Sequence, residues 1–296
     1  MILEFKDINK SFGQKQVLKG VSFRAESGKA FGLLGRNGAG KTTSLRILMD
    51  VFHADSGQVL IDGSPIDYDR IGFGYLPEER GLYPKIKIFD QLVYFAELKG
   101  LRSSDAAETV DRWLGRLGMS EYRNKRLDTL SKGNQQKIQL ITALAHDPQV
   151  VILDEPFSGL DPVNARLLKD VVRETISKGK IVLFSSHQMN YIEEFCDSIA
   201  ILSAGQVVLT GDLKDIKRNY VRDKLCIRTE QSERLMDRYG DRIKTSADGS
   251  LIFKMDAPED KKHVMSELLE VCDIDHVGVY EPSLNDIFVE YTEREV

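Results

Sequence analysis

The run Gly35-Arg36-Asn37-Gly38-Ala39-Gly40-Lys41-Thr42 has the spacing G-x-x-x-x-G-K-[ST]. Such residues suit a loop that holds phosphate. Glycines let the backbone bend so that successive N–H groups, here around Asn37, Gly38, Ala39 and Gly40, face phosphate oxygens. A helix beginning near Lys41 would add the positive end of its dipole. Lys41 supplies a compact charge for β- and γ-phosphates, the Thr42 hydroxyl can ligate Mg²⁺, and Thr43 follows at the same helix start. Further along, Val150-Val151-Ile152-Leu153-Asp154-Glu155 ends an apolar run in two adjacent acids. Beside a triphosphate, Asp154 is placed to bind Mg²⁺ directly or through water. Glu155 is placed to serve an in-line water as general base or positioning group. Alone, two acids after a strand are an ordinary solvated strand end; the loop upstream reverses that reading.

Those residues need elements to hold them. Ala30 to Leu34 is a short apolar run and Thr42 to Met49 is helical, so the glycine loop falls between strand and helix, the context the phosphate reading requires. Val150 to Leu153 and Ile181 to Phe184 are continuous apolar runs that suit central strands of a parallel sheet. A helix over about Pro162 to Ser177 lies between them and implies a βαβ unit. Ile2 to Phe5 and Val17 to Phe23 alternate around Gly13 and predict an antiparallel pair. Gln58 to Ile61 precedes the turn signal Asp62-Gly63. From about Ile86 to Ala145 the spacing is helical, which predicts a helical insertion. Ile199 to Leu202 and Gln206 to Leu209 close the region. After a charged stretch from Asp215, the order strand, helix, strand, strand, helix, strand from about Lys224 to Tyr280 is βαββαβ and ferredoxin-like. A terminal amphipathic helix, Ser283 to Tyr291, follows.

Composition narrows the function classes. The chain has 296 residues, 42% hydrophobic and 29% charged, with a formal net charge of -5. That is ordinary for a folded globular protein of one large and one small domain. A mildly acidic balance is a poor footing for general nucleic-acid binding, and none is expected. Cys196, Cys226 and Cys272 lack metal-ligand spacing and read as reduced residues. No run reaches the ~20 apolar residues of a membrane span. The start, MILEFKDINKSFG, does not read as a signal peptide. The expected place is therefore the cytoplasm, with any membrane link made through a partner.

Leu130-Ser131-Lys132-Gly133-Asn134-Gln135-Gln136 resembles the signature sequence of ABC ATPases, usually LSGGQ. Downstream come the acidic strand and then Ser158-Gly159-Leu160-Asp161, which resembles the family's D-loop. His187 follows Ser185-Ser186, where the family places its switch histidine. In this order the motifs cover roughly Phe12 to Gly211. The chain is thus similar to an α/β P-loop NTPase of ABC type. That implies a mixed-sheet core, an antiparallel β subdomain and a helical subdomain, here joined to a small α+β ferredoxin-like domain. Residues 1–215 form the expected ATP-binding domain, with the helical subdomain at about 86–145. Residues 216–223 form a linker and 224–296 the accessory domain. Kinases and G proteins share only the phosphate loop.

The resemblance implies a Mg²⁺-dependent ATPase with Glu155 and His187 in catalytic roles. ATP would lie between two subunits paired head to tail. Ser131, Lys132, Gly133 and Asn134 would meet the nucleotide held by the other subunit, and Asp161 would stand at the D-loop. Phe12, at the aromatic A-loop position, would stack on adenine with Val17 nearby; a plain core aromatic is the other reading of Phe12. Thr42, Asp154 and Glu78 would serve the metal. Two positions depart from the family pattern. In Gly74-Tyr75-Leu76-Pro77-Glu78-Glu79-Arg80, Glu78 replaces the Q-loop glutamine, and Lys132 replaces a glycine. Both resemble a branch of bacterial export-type ABC ATPases, as does the ending Tyr280-Glu281-Pro282-Ser283-Leu284-Asn285-Asp286-Ile287-Phe288. The implied role is to power an exporter through a separate transmembrane permease, from the inner face of the cell membrane. The competing expectations are a soluble non-transport ABC ATPase and an ATP-sensing regulatory module. For the small domain the expectation is dimer contact or regulation.

Overall fold

The chain opens with β1 (Ile2–Phe12) and β2 (Lys15–Glu26), paired antiparallel. This is a computed structural model, and it describes residues 1–78, 81–220, 223–246 and 248–293. Outside those lie positions 79 and 80 of the Gly74 to Arg80 run, 221 and 222 of the expected linker, and 294–296 of the expected accessory domain. Strand β1 is irregular: its register with β2 shifts between Phe5 and Ile8 and twice more before Ser11, and Asp7 has a φ of 51°. Bulges of this kind add an unpaired residue and turn the side chains that follow. The strand therefore continues to Phe12 although the alternation in the sequence stops at Phe5.

Next come β3 (Ala30–Gly35) and α1 (Lys41–Leu48). Strands β4 (Ser56–Ile61) and β5 (Ser64–Pro65) turn at Asp62-Gly63 and complete an antiparallel sheet of order β2-β1-β4-β5. Strand β6 (Phe73–Leu76) leads into a helical block of α2 (Ile88–Leu98), α3 (Ser103–Arg116) and α4 (Lys132–Leu144). Ile88, Leu92, Val110, Leu114, Ile138 and Ile141 recur on the inner faces of these helices and are at most 1% exposed. The chain then runs through β7 (Val150–Asp154), α5 (Pro162–Ser177), β8 (Ile181–Ser185), α6 (Met189–Phe195), β9 (Ser198–Ser203) and β10 (Gln206–Asp212).

The second sheet has the order β10-β9-β3-β8-β7-β6. Its pairings are parallel except for β9 with β10. Every residue of β3, β7 and β8 is buried, which is why those runs carry no polar face. Each fully buried Leu or Ile there contributes about 1.5–3 kcal/mol. Phe5, Phe23 and Phe31 stack in sequence, with ring centroids 4.2 and 4.9 Å apart, and tie the first sheet to the second.

The chain divides into two compact units, Met1–Leu213 together with the stretch from Phe288 onward, and Lys214–Ile287. The second unit contains most of α7 (Leu213–Arg218), then β11 (Lys224–Arg228), α8 (Ser232–Tyr239), β12 (Ile243–Thr245), β13 (Leu251–Lys254), α9 (Lys261–Val271) and β14 (His276–Val279). Its sheet is antiparallel throughout, in the order β12-β13-β11-β14, over a core of Leu225, Ile227, Leu235, Phe253 and Leu268. This is the ferredoxin-like arrangement. The last helix, α10 (Leu284–Glu293), begins with a reciprocal cap. The Asp286 N–H donates to Ser283 Oγ at 3.2 Å, and the Ser283 N–H donates to the Asp286 carboxylate at 2.9 Å. The Ser-x-x-Asp spacing in the chain's ending is thus a capping box.

Candidate functional site

Parallel strands place their carboxyl ends on one edge of a sheet, and loops leaving that edge converge. Strand β3 ends there in the Gly35–Thr42 loop, β7 in Asp154-Glu155, β8 in Ser185-Ser186-His187, and β6 in Pro77-Glu78. They line one cleft of about 410 Å³, walled by Lys15, Val17, Arg36, Asn37, Gly38, Gly40, Lys41, Thr42, Thr43, Glu78, Asp154, Glu155 and His187. Residues 150 positions apart in sequence thus meet because of the parallel topology. Lys15 and Arg36 add cations that no motif position had marked; Arg36 is a variable position of the loop.

Gly40 sits at the N-cap of α1 with φ 112°, a conformation that favours glycine. No side chain caps this helix end, and its first turn carries no acid. The helix thus turns amide groups and a positive dipole end toward the cleft. Lys41 Nζ folds back onto the Gly35 carbonyl at 2.6 Å and the Arg36 carbonyl at 3.4 Å. Burial pulls the Lys41 pKa below its usual value, against an opposing pull from Asp154, Glu155 and Glu78. An anion arriving in the cleft would restore a full counter-charge to this ammonium.

Glu155 stands just past β7 with φ 49°, a left-handed backbone unusual for a residue with a side chain. Its N–H donates to the Ser185 carbonyl at 2.8 Å, which fixes the turn against β8. The carboxylate is 6% exposed. It accepts from the His187 N–H at 2.7 Å, pairs with His187 Nδ1 at 2.6 Å, and accepts from Ser186 Oγ at 2.9 Å. The His187 ring itself is 69% exposed, so it reaches from this pair into open cleft. The two expected catalytic groups are therefore joined directly. Ser186 is a third member that sequence reasoning passed over; its position beside His187 was the available signal.

Asp154 is buried, and its pKa is raised. Burial is the main cause, and the negative charges of Glu78 and Glu155 add to it, while Lys41 opposes. Ser185 exerts a lowering pull second only to burial, although among the described residues its buried Oγ meets no partner at hydrogen-bond geometry. Across the sheet, burial pushes the Tyr75 hydroxyl up to about 12, with the Asp154 charge next to it as a further cause. Tyr75 was visible only as part of the Gly74 to Arg80 run. An acid strained in this way, with a second carboxylate at Glu78 and the Thr42 hydroxyl on the same cleft, suits a divalent cation. Among the described residues no group of three or more His, Cys, Asp or Glu is assembled around one point.

The other expected residues lie elsewhere on the first unit. Ser131 is the N-cap of α4, its Oγ accepting from the Asn134 N–H at 3.3 Å. Ser131 and Lys132 are exposed, Asn134 is half-buried, and Gly133 is buried. None of the four lines the cleft. Asp161 caps α5, accepting from the Val163 and Asn164 N–H groups at 3.0 and 2.9 Å. Phe12 is 49% exposed and meets Phe52 edge-on at 5.4 Å; it is not part of the cleft wall, although Val17 is.

The sequence profile of the family described as "ABC transporter" matches residues 18–158, and that described as "ATP-binding protein DrrA1-3-like, C-terminal domain" matches residues 211–292. The chain is 41% identical to the uncharacterized ABC transporter ATP-binding protein YhaQ of Bacillus subtilis over 98% of both chains. It is 28% identical to the Nod factor export ATP-binding protein I of Rhizobium etli, over 99% of this chain and 94% of that one. A solved structure titled as the ATP-binding subunit of an ABC transporter superposes with a TM-score of 0.68 at 31% identity, over 74% of this chain and 93% of the other. With the Gly35–Thr42 loop, the acidic strand and His187 gathered on one sheet edge, the chain belongs to the family of ABC transporter ATP-binding proteins.

Proposed function

We propose that this chain is the ATP-hydrolysing subunit of an exporter and works as a head-to-tail pair. The observation that carries the reading is a division of parts. Lys41, Asp154, Glu155 and His187 share one cleft, while the signature residues Ser131 to Asn134 stand outside it on an exposed helix start. One chain alone presents half of two sites. In a pair, the α4 start of one subunit would close over the nucleotide of the other, with its dipole toward the γ-phosphate.

Asn37 to Thr43 bind and orient the phosphates, and Lys41 leaves its backbone carbonyls to meet the β- and γ-oxygens. Phe12 and Val17 offer an adenine platform. Water attacks the γ-phosphorus, the bond to the β–γ bridging oxygen breaks and ADP leaves, while Glu155 takes up the water's proton and His187 holds the γ-phosphate and senses its departure. Thr42 and Asp154, with Glu78 nearby, would hold Mg²⁺, which would supply positive charge to offset that of the phosphates.

The export direction is supported by the Rhizobium etli relative, whose name is that of an export ATP-binding protein. No helix among the described residues is long and apolar enough to cross a membrane. Four exposed large apolar residues, Tyr83, Ile86, Tyr94 and Leu98, fall together in and before α2, next to the Glu78 loop. They offer a transmembrane partner a docking face, which would hold the subunit at the inner surface of the membrane. Measuring ATP hydrolysis against subunit concentration tests the pairing. A rate rising faster than linearly is expected, and a strictly linear rate down to nanomolar subunit would refute it.

A further inference from the structure

Gln136 lies on α4 about one and a half turns beyond Ser131, on a helix that starts at the signature. Its Nε2 donates to the Pro156 carbonyl at 3.2 Å. Pro156 directly follows Glu155. The same helix start touches the far end of that loop. A Cβ added at Gly133 would come 3.0 Å from Asn164 Nδ2 and 3.6 Å from Leu160 Cδ2, and the Asn164 side chain donates to Asp161. The segment from Pro156 to Asp161, between β7 and α5, is therefore held at both ends by the first turns of α4. Within it the backbone bonds among the described residues are long, 3.2 Å from the Ser158 N–H to the Glu155 carbonyl and 3.4 Å from the Leu160 N–H to the Phe157 carbonyl, and Pro156 has no N–H to give. A displacement of α4 is thus passed to the Pro156 carbonyl, one residue from the catalytic carboxylate.

We infer that Gln136 is a positioning residue that couples the two nucleotide sites of the pair. A nucleotide brought to Ser131 by a second copy of this chain shifts α4, and Gln136 carries that shift to Glu155 of the same chain. The inference rests on the head-to-tail reading above. It assigns Gln136 no contact with nucleotide. It also gives the signature helix a second task, setting the geometry of its own chain's site.

Gln136→Met keeps the length and apolar contact of the side chain and removes the donor. A neutral hydrogen bond of about 0.5–1.5 kcal/mol corresponds to roughly a three- to tenfold effect. The expected result is a kcat lower by about that factor with KM for ATP unchanged, a Hill coefficient for ATP falling toward one, and a melting temperature lowered by only a few degrees. Gln136→Lys, which retains a donor, should recover most of kcat, whereas Gln136→Glu should not; that comparison decides if the Met variant folds poorly. If the wild-type subunit is silent, hydrogen exchange at Ser158 and Leu160 takes over as the readout. ATP then protects these amides in Glu155→Gln and protects them less in Glu155→Gln/Gln136→Met. Wild-type kcat and cooperativity in Gln136→Met, or equal protection, overturns the inference. Glu155→Gln run alongside separates the two failures: if it forms no ATP-dependent dimer, the pairing itself is wrong.

Discussion

Gly74 stands in the middle of β6, the strand that carries Tyr75 and leads to Glu78, and its backbone is outside the positive-φ region. Its need for glycine is therefore one of space. A Cβ added there would lie 2.1 Å from the Ala143 carbonyl oxygen, 2.8 Å from Pro148 Cγ and 3.2 Å from the Ala143 carbonyl carbon. Carbon and oxygen normally approach to about 3.3 Å, so the end of α4 must retreat by about 1 Å. That retreat strains the bond from His146 Nε2 to the Phe73 carbonyl, 3.1 Å long, which ties the same two elements. Overpacking costs about 1–3 kcal/mol and the lost bond about 0.5–1.5, so Gly74→Ala should destabilise the first unit by about 2–4 kcal/mol. Trp113, the single tryptophan, sits on α3 of the helical block and reports unfolding by its fluorescence. With urea slopes of about 1–3 kcal/mol/M, the midpoint should fall by about 1 M or more. Gly115→Ala on exposed α3 is the opposite control. Its added Cβ meets only Ser120 Oγ at 3.8 Å, and helix propensity should stabilise it by up to about 1 kcal/mol. A Gly74→Ala midpoint equal to wild type would refute the close approach of α4 to β6.

Asp154→Asn should stabilise the nucleotide-free subunit while removing Mg²⁺-dependent turnover. The folded Asp154 pKa lies above 3.8, so the folded state binds the extra proton and stability falls as pH rises through the window above 3.8. The advantage of the asparagine variant should thus be present at neutral pH and vanish below that window, as unfolding across pH would show. Ser186→Ala removes one of the donors that hold Glu155, and kcat should fall roughly three- to tenfold with little change in KM; an unchanged kcat would show that His187 alone holds the carboxylate. Glu78→Gln removes a negative charge from the cleft and restores the usual family residue. Wild type and variant should both turn over ATP, the variant needing more Mg²⁺ because a negative charge beside Asp154 and Thr42 is gone. A titration of rate against Mg²⁺ reads this, and loss of the wild type's own turnover under all Mg²⁺ levels would count against the site.

Much of this was legible in the sequence where one physical rule acted alone. The apolar runs at Val150 and Ile181 had to be buried on both faces, and they are neighbours in the parallel sheet. The helix expected from Pro162 to Ser177 occupies those residues, because Asp161 caps its start and Pro162 suits its first turn. Rules in competition were harder to read. Strand β1 was cut short because bulges break the period of two. Strand β6 was not read at all, since Gly74 weakens strand propensity while serving the contact with α4. Helix α6, from Met189 to Phe195, is a single short element with one buried side and gives little periodic signal. For the site, the motif residues gave the cleft, but the partners of the motif residues did not announce themselves. Ser186 could be marked only by its place beside His187, and the contacts of Ser186 with Glu155 and of Gln136 with Pro156 are made by chain folding across separations that no local spacing encodes.

The head-to-tail pair is the centre of the account, and the mass of Glu155→Gln in solution tests it most directly. Measured by light scattering with ATP and Mg²⁺, the variant should appear at twice the monomer mass. It should revert to monomer when ADP replaces ATP or when Ser131→Arg blocks the signature face. A variant that binds ATP tightly and stays monomeric at every concentration would contradict the account.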